Sequence, residues 1–182
     1  MNTEQTALQS ARKSDIQAHF DSLAGSRDRW IARNRDYYEE DRNYLRFIVP
    51  EGARVLEVGC ATGELLARLK PSYGVGLDMS ERMLESARCR YPDLKFVKGD
   101  TEDEGSFADW GGPFDYIILS DTIGYLDDID RVMRILREQC APHTRLVIAY
   151  YSHLWEPILA LAERIGQKMP QPGVNFLSSS DI

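Results

Sequence analysis

The sequence predicts an α/β protein built on a doubly wound parallel sheet, and three observations carry that prediction. Short β-rich runs recur at 54–58, 74–77, 94–97, 116–119 and 145–150. Amphipathic stripes separate most of them: Leu65/Leu66/Leu69, Met83/Leu84/Ala87 and Ile129/Val132/Met133/Leu136, with Ile158/Leu161/Ala162/Ile165 after the fifth run. The runs are short and mostly apolar, as expected of strands buried on both faces. Strands alternating with helices imply right-handed crossovers that cover the sheet on both sides.

The bulk properties agree. A length of 182 residues suits one domain, and 43% hydrophobic with 28% charged residues is an ordinary globular balance. A net charge of −7 and a pI near 5.0 argue against a protein that coats nucleic acid. No apolar run approaches the roughly 20 residues of a membrane span. No basic-then-apolar leader opens the chain, so a soluble cytoplasmic protein is expected. Cys60, Cys89 and Cys140 are odd in number and lack paired spacing, which indicates neither a disulfide framework nor a zinc cluster.

The pattern changes near Pro50. Residues 1–49 read as a helical N-terminal extension, a lid over the remainder. Ile16, Phe20 and Leu23 share one helix face; after a break at Gly25-Ser26, a longer stripe runs through Trp30, Tyr37, Tyr38, Tyr44, Leu45 and Ile48. Basic and acidic residues both number eight over positions 1–50, so the segment is laced with charge rather than basic. Residues 1–10 are expected to be disordered.

Ligands of doubly wound sheets sit beyond the carboxyl ends of the strands. The first such end reads Glu57-Val-Gly59-Cys-Ala61-Thr-Gly63, where Gly59 and Gly63 bracket a tight strand-to-helix turn. A dinucleotide fingerprint would need glycines at 59, 61 and 64. The chain has Gly59, Ala61 and Glu64, and an acid there would face a pyrophosphate, which disfavours an NAD-dependent oxidoreductase. The spacing acid-x-Gly-x-small-x-Gly instead resembles motif I of the class I S-adenosylmethionine-dependent methyltransferases, of the bacterial small-molecule type. Further matches follow in order: Gly76-Leu-Asp78 ends the second strand in an acid, Phe96-Val-Lys-Gly-Asp100 ends the third, and 114–120 forms the fourth. The likeness covers about residues 50–151.

This resemblance implies a Rossmann-like, mostly parallel sheet of the methyltransferase type, with residues 50–182 as the S-adenosylmethionine-binding domain. It also implies a cofactor site. Asp78 would accept both ribose hydroxyls, Met79 and Met83 would cover adenine, and Asp100 with Thr101 would meet its amino edge. Glu57, Gly59, Ala61 and Gly63 would shape the loop around the methionine moiety, and Ser120 would border the sulfur. Tyr37 or its neighbour Tyr38 would close over the donor. Ser80 is placed to cap the helix after Asp78. The product is S-adenosylhomocysteine, and no metal is implied. Other readings stay open: a plain βα turn at 59–63, a solvated surface at Asp100, core packing at Met83 or at the tyrosines, and a non-catalytic S-adenosylmethionine-binding module serving a partner.

The acceptor side is thinner. Asp121, Tyr125 and His153 are the candidate catalytic residues, at or after the ends of the fourth and fifth strands. Residues 99–130 hold ten Asp or Glu and no Lys or Arg, a field that repels phosphodiesters. A small-molecule acceptor is expected, with a sugar or lipid-linked hydroxyl as the particular guess. Ser178-Ser-Ser-Asp181 reads as a helix start with one residue after it. Strands 6 and 7 of the family's sheet are therefore expected to be absent, leaving the fifth strand as an open edge prone to self-association.

Overall fold

A computed structural model describes residues 3–107, 110–150 and 156–169. Three helices come first: α1 (Thr3–Leu23), α2 (Arg27–Arg33) and α3 (Arg35–Ile48). Then β1 (Arg54–Val58), α4 (Glu64–Arg68), β2 (Tyr73–Asp78), α5 (Glu81–Arg90), β3 (Lys95–Lys98), β4 (Phe114–Ser120), α6 (Ile129–Arg137), β5 (Cys140–Ala149) and α7 (Glu156–Arg164) alternate as the periodicity predicts. The expectation of disorder over residues 1–10 is corrected, since the backbone is helical from Thr3. The stripe from Trp30 to Ile48 is two helices, not one. At Asn34 the backbone leaves helical geometry (φ −110°, ψ 35°), and its N–H and side-chain amide both donate to the Trp30 carbonyl (3.1 Å each), closing α2 there.

The sheet is parallel throughout, in the order β3-β2-β1-β4-β5. The chain moves outward from β1 to β3, then returns to the other side of β1 with β4, opening a crevice at the carboxyl ends of β1 and β4. Period-2 alternation divides the core. Leu56 and Val58 of β1 join Ile117, Leu119 and α6 residues Val132, Ile135 and Leu136 on one face. Val55 joins Ile118 and residues of α3, α4 and α5 on the other. Glu57 shares the parity of Val55, so the strand delivers a carboxylate toward the α3–α5 side at its end. β5 starts earlier than its apolar run suggests, because Cys140 pairs with Phe114 before a register shift to Tyr116↔Arg145. Its outer edge has no strand partner among the described residues, and Leu146 on it is 43% exposed. No helix among the described residues is long and apolar enough to cross a membrane.

Gly63 sets how closely α4 approaches the sheet. Its φ of +73° is a left-handed conformation, and a Cβ there would lie 2.5 Å from the Phe96 ring. Gly63→Ala is therefore expected to cost about 2 kcal/mol, from left-handed strain and overpacking. That lowers Tm by roughly 4–8 °C in a chain of this size. In a double-mutant cycle read by thermal melts, Phe96→Leu should cost less in the Gly63→Ala background than alone.

Candidate active site

A cavity opens where the crevice predicts. Its floor is the end of β1, the 59–62 loop, Asp78 and Met79 after β2, and 120–122 after β4; α1, α2 and α3 form the roof. The loop is a backbone cradle. Gly59 and Ala61 have φ of +76° and +46°, and the N–H groups of Gly59 and Cys60 both donate to the Leu77 carbonyl (2.8 and 2.9 Å). This cross-link between the ends of β1 and β2 forces the turn that only small residues accept. A Cβ at Gly59 would lie 2.1 Å from Thr122 Oγ1, whose hydroxyl reaches the carbonyls of Val58 (2.9 Å) and Ser120 (3.0 Å). Gly59 is thus required by the seam between β1 and β4 as well as by any ligand.

Two carboxylates hold the cradle. Asp78 accepts the Ala61 N–H (2.8 Å) on one oxygen and the Ser80 N–H (2.9 Å) on the other. Glu57, fully enclosed, accepts the Leu66 N–H (3.0 Å) at the start of α4. Burial pushes the Asp78 carboxyl up and Glu57 to about 8, against the opposing pull of these backbone bonds. Ser80 caps α5 as its sequence position predicts, its hydroxyl accepting the Met83 N–H (3.2 Å).

The roof is latched to this floor. The Ser80 hydroxyl donates to Asp21 of α1 (2.5 Å). Lys13 pairs with Asp100 and with Glu102 (2.8 Å), and Arg12 with Asp127 and the Tyr125 carbonyl (3.2 Å). Burial would depress the Lys13 ammonium, but its bonds to Asp100 and Glu102 outweigh that and raise it. Phe20 stacks edge-on against Tyr125, with ring centroids 5.3 Å apart. The acidic run at 99–130 is therefore not a bare field, since α1 matches part of it with two cations.

Most of the residues expected from sequence converge here: Glu57, Gly59, Ala61, Asp78, Met79, Met83, Asp100, Thr101, Ser120, Asp121 and Tyr125 line the cavity. Gly63 does not; it serves helix packing. His153 and the side chain of Tyr37 lie outside what is described, whereas Tyr38 is on the wall. The sequence reading missed Lys13, Arg27, Asp41 and Arg42. Arg42 binds Glu64 (2.6 Å) and lies over the Tyr38 ring (5.3 Å). Among the described residues, Arg27 Nε and the Tyr125 hydroxyl are buried without a hydrogen-bond partner. Burial, then the charge of Asp41, lifts Asp121 to about 6. Burial likewise raises Tyr38, Asp41 and Tyr125.

Comparison with known proteins agrees with this geometry. A family model described as a methyltransferase domain matches residues 30–182. A dTDP-4-amino-2,3,4,6-tetradeoxy-D-glucose N,N-dimethyltransferase of Saccharopolyspora spinosa is 35% identical over 120 residues, covering 61% of this chain and 47% of the relative. A trans-aconitate 2-methyltransferase of Variovorax paradoxus is 31% identical over 143 residues, covering 73% and 54%. The chain thus spans about half the length of the curated relatives it matches. A SAM-dependent methyltransferase of Thermotoga maritima shares the fold, with a TM-score of 0.73 at 22% identity over 91% of this chain and 76% of that one.

The raised Glu57 carboxyl has a consequence for stability. Its folded value of about 8 exceeds the ordinary 4.5, so the folded state holds a proton that the unfolded state releases. Stability from this group is complete below about pH 4.5 and lost as pH rises toward 8. Asp121 contributes in the same direction over a narrower window. In Glu57→Gln the amide oxygen still accepts the Leu66 N–H and nothing titrates. The fall in Tm from pH 5 to pH 8 should then shrink by about 3 °C or more, the effect of roughly 1 kcal/mol. An unchanged slope in calorimetric melts would assign the pH dependence elsewhere.

Proposed function

The chain belongs to the methyltransferase-domain family, and on that premise we propose that it moves a methyl group from S-adenosylmethionine to a small-molecule acceptor. The observation that carries this reading is the cradle itself: Glu57 and Asp78 end adjacent parallel strands beneath a loop of positive-φ residues. An ionised carboxylate has about four acceptor positions. Asp78 uses one on each oxygen for backbone N–H groups, which leaves both oxygens able to accept a ribose hydroxyl. Met79 and Met83 offer apolar surface for adenine, with Asp100 and Thr101 at its amino edge. Glu57 holds the loop through Leu66 rather than touching the sugar. Arg27, with its buried unpartnered Nε, fits the carboxylate of the donor's amino-acid tail, and Ser120 stands beside the sulfur. A nucleoside carrying an amino acid matches this donor and acceptor set.

Bound S-adenosylmethionine supplies an activated methyl on a sulfonium. The protein's part is to orient, desolvate and enclose, and these can contribute a large share of the rate when the reacting atoms are held in line. Ile16 and Phe20 of α1 line the cavity from the roof side, a partial enclosure that suits a small-molecule acceptor. The relatives' names, one an amino-sugar and one a trans-aconitate methyltransferase, support the same class.

S-adenosylhomocysteine should bind the full chain in calorimetry. Asp78→Asn keeps an acceptor for one backbone N–H but loses the charge, and Arg27→Gln loses the cation. Each is expected to weaken binding about tenfold or more, equivalent to about 1.4 kcal/mol, within the range of a charge-assisted hydrogen bond. Wild-type affinity in both variants, folded by circular dichroism, would remove the donor assignment.

A further inference from the structure

The cavity has a second wall that the donor residues do not use. It consists of Asp121 directly after β4, Tyr125 in the turn that follows, and Tyr38 and Asp41 on α3. Asp121 has a φ of +53°, a left-handed conformation that residues with a Cβ adopt reluctantly and that clusters at functional sites. Its carboxylate lines the cavity and receives no hydrogen bond or ion pair from the described residues; neither does that of Asp41. This sets them apart from Asp78, which accepts a backbone N–H on each oxygen, and from Glu57, which accepts one. The Tyr125 hydroxyl is buried with no hydrogen-bond partner among the described residues. A buried hydroxyl is nearly always satisfied by protein, water or ligand, and the Tyr125 hydroxyl beside two half-buried carboxylates offers a ligand three polar contacts in one place.

The charges around Asp121 narrow what that is. Asp41 adds a second negative charge. Arg27 and Lys168 act in the opposite direction. Lys168 is held by Glu163 (2.6 Å), and Arg42, also on α3, by Glu64 (2.6 Å). Under the donor reading Arg27 serves the amino-acid tail. What remains is two carboxylates and two phenols facing one space, an arrangement that attracts a cation bearing several N–H groups and repels an anion.

We propose that the methyl acceptor is an amine, held as its ammonium between Asp121 and Asp41 with the Tyr125 hydroxyl as a third contact, and that Asp121 takes its proton. This rests on the methyltransferase reading and refines it. One N–H bond of the ammonium breaks, its proton passes to the Asp121 carboxylate, and the nitrogen recovers its lone pair. That pair forms the N–CH3 bond as the C–S bond breaks, with the C–S electrons returning to sulfur. The products are a methylated ammonium and a neutral thioether, and Asp121 releases its proton to water when they leave. The sum of charges is unchanged. A carboxylate base suits an ammonium and fails with an alcohol, which holds its proton far more tightly. A carboxylate acceptor would meet two like charges. The hydroxyl acceptor expected from sequence is therefore replaced by an amine.

The test uses the full chain saturated with S-adenosylhomocysteine in an amine-free buffer, with the aspartate carboxyl carbons labelled with carbon-13. Methylammonium and acetate are titrated separately while the Asp121 resonance is followed. Asp121→Asn is a conservative control, because asparagine also tolerates the left-handed backbone. The expected result is a saturable shift of Asp121 with methylammonium, none with acetate, and methylammonium affinity reduced about tenfold or more in Asp121→Asn, read at Asp41. An Asp121 resonance that ignores methylammonium, or responds to acetate instead, overturns the amine proposal while leaving the donor reading intact. Failure of S-adenosylhomocysteine to bind in the preceding calorimetry overturns the donor reading, and the amine proposal with it.

Discussion

The carboxylate of Asp78 is the point on which the site depends. It stands at the end of β2 and grips two backbone N–H groups, Ala61 in the loop after β1 and Ser80 at the start of α5. An ionised group out of water is tolerated only when such bonds compensate it, so this junction has little freedom to move. Through Ser80 it also reaches Asp21, which ties α1 to the floor. Glu57 repeats the arrangement one strand away, where it anchors α4. The two acids turn the ends of neighbouring strands into a rigid cradle, and burial raises both. A ligand carrying positive charge and hydroxyl donors relieves that cost, which ties the stability of the cradle to the chemistry of what it holds.

The roof follows a different logic. α1 closes by opposite charge at its near end, where Arg12 and Lys13 meet Asp127, Asp100 and Glu102, and by apolar contact further along, where Phe20 meets Tyr125. Part-exposed ion pairs are individually weak and screened by salt, so the roof is less firmly attached than the sheet beneath it. Under the proposed methyl transfer, weak attachment suits a segment that would admit a donor and an acceptor and release two products. The same helix neutralises part of the acidic rim, and the unneutralised carboxylates, Asp41 and Asp121, lie inside the cavity.

How much of this was legible in the sequence depended on the range of the interactions. The strands were legible because a buried parallel strand needs an apolar run of its own. β1 fell on its expected residues, and the other four differed mainly at their ends. Glu57, Gly59 and Asp78 were legible because strand-end chemistry is local: an acid, a tight turn and a second acid at fixed spacing. The roof was not. Periodicity marks the apolar face of a helix without naming what it meets, so Arg27 and Asp41 carried no signal about strand ends that lie some 17 to 93 positions further along the chain. Adjacent residues on a helix point about 100° apart, a consequence of 3.6 residues per turn, and pattern alone did not choose between Tyr37 and Tyr38. The break at Asn34 is a change of backbone angles at one residue, which an apolar stripe spanning both helices does not register. Gly59 was read as room for a ligand, yet Thr122, from a different strand end, also demands it.

With the proposed donor bound, cradle and roof would form one coupled unit around Asp78. Hydrogen–deuterium exchange of the full chain, with and without S-adenosylhomocysteine, tests it most directly. The account predicts slower exchange on binding in three places together: residues 59–63, residues 78–84 and α1. Protection of the two loops with α1 unchanged would contradict the coupling, and no protection anywhere would contradict the donor site itself.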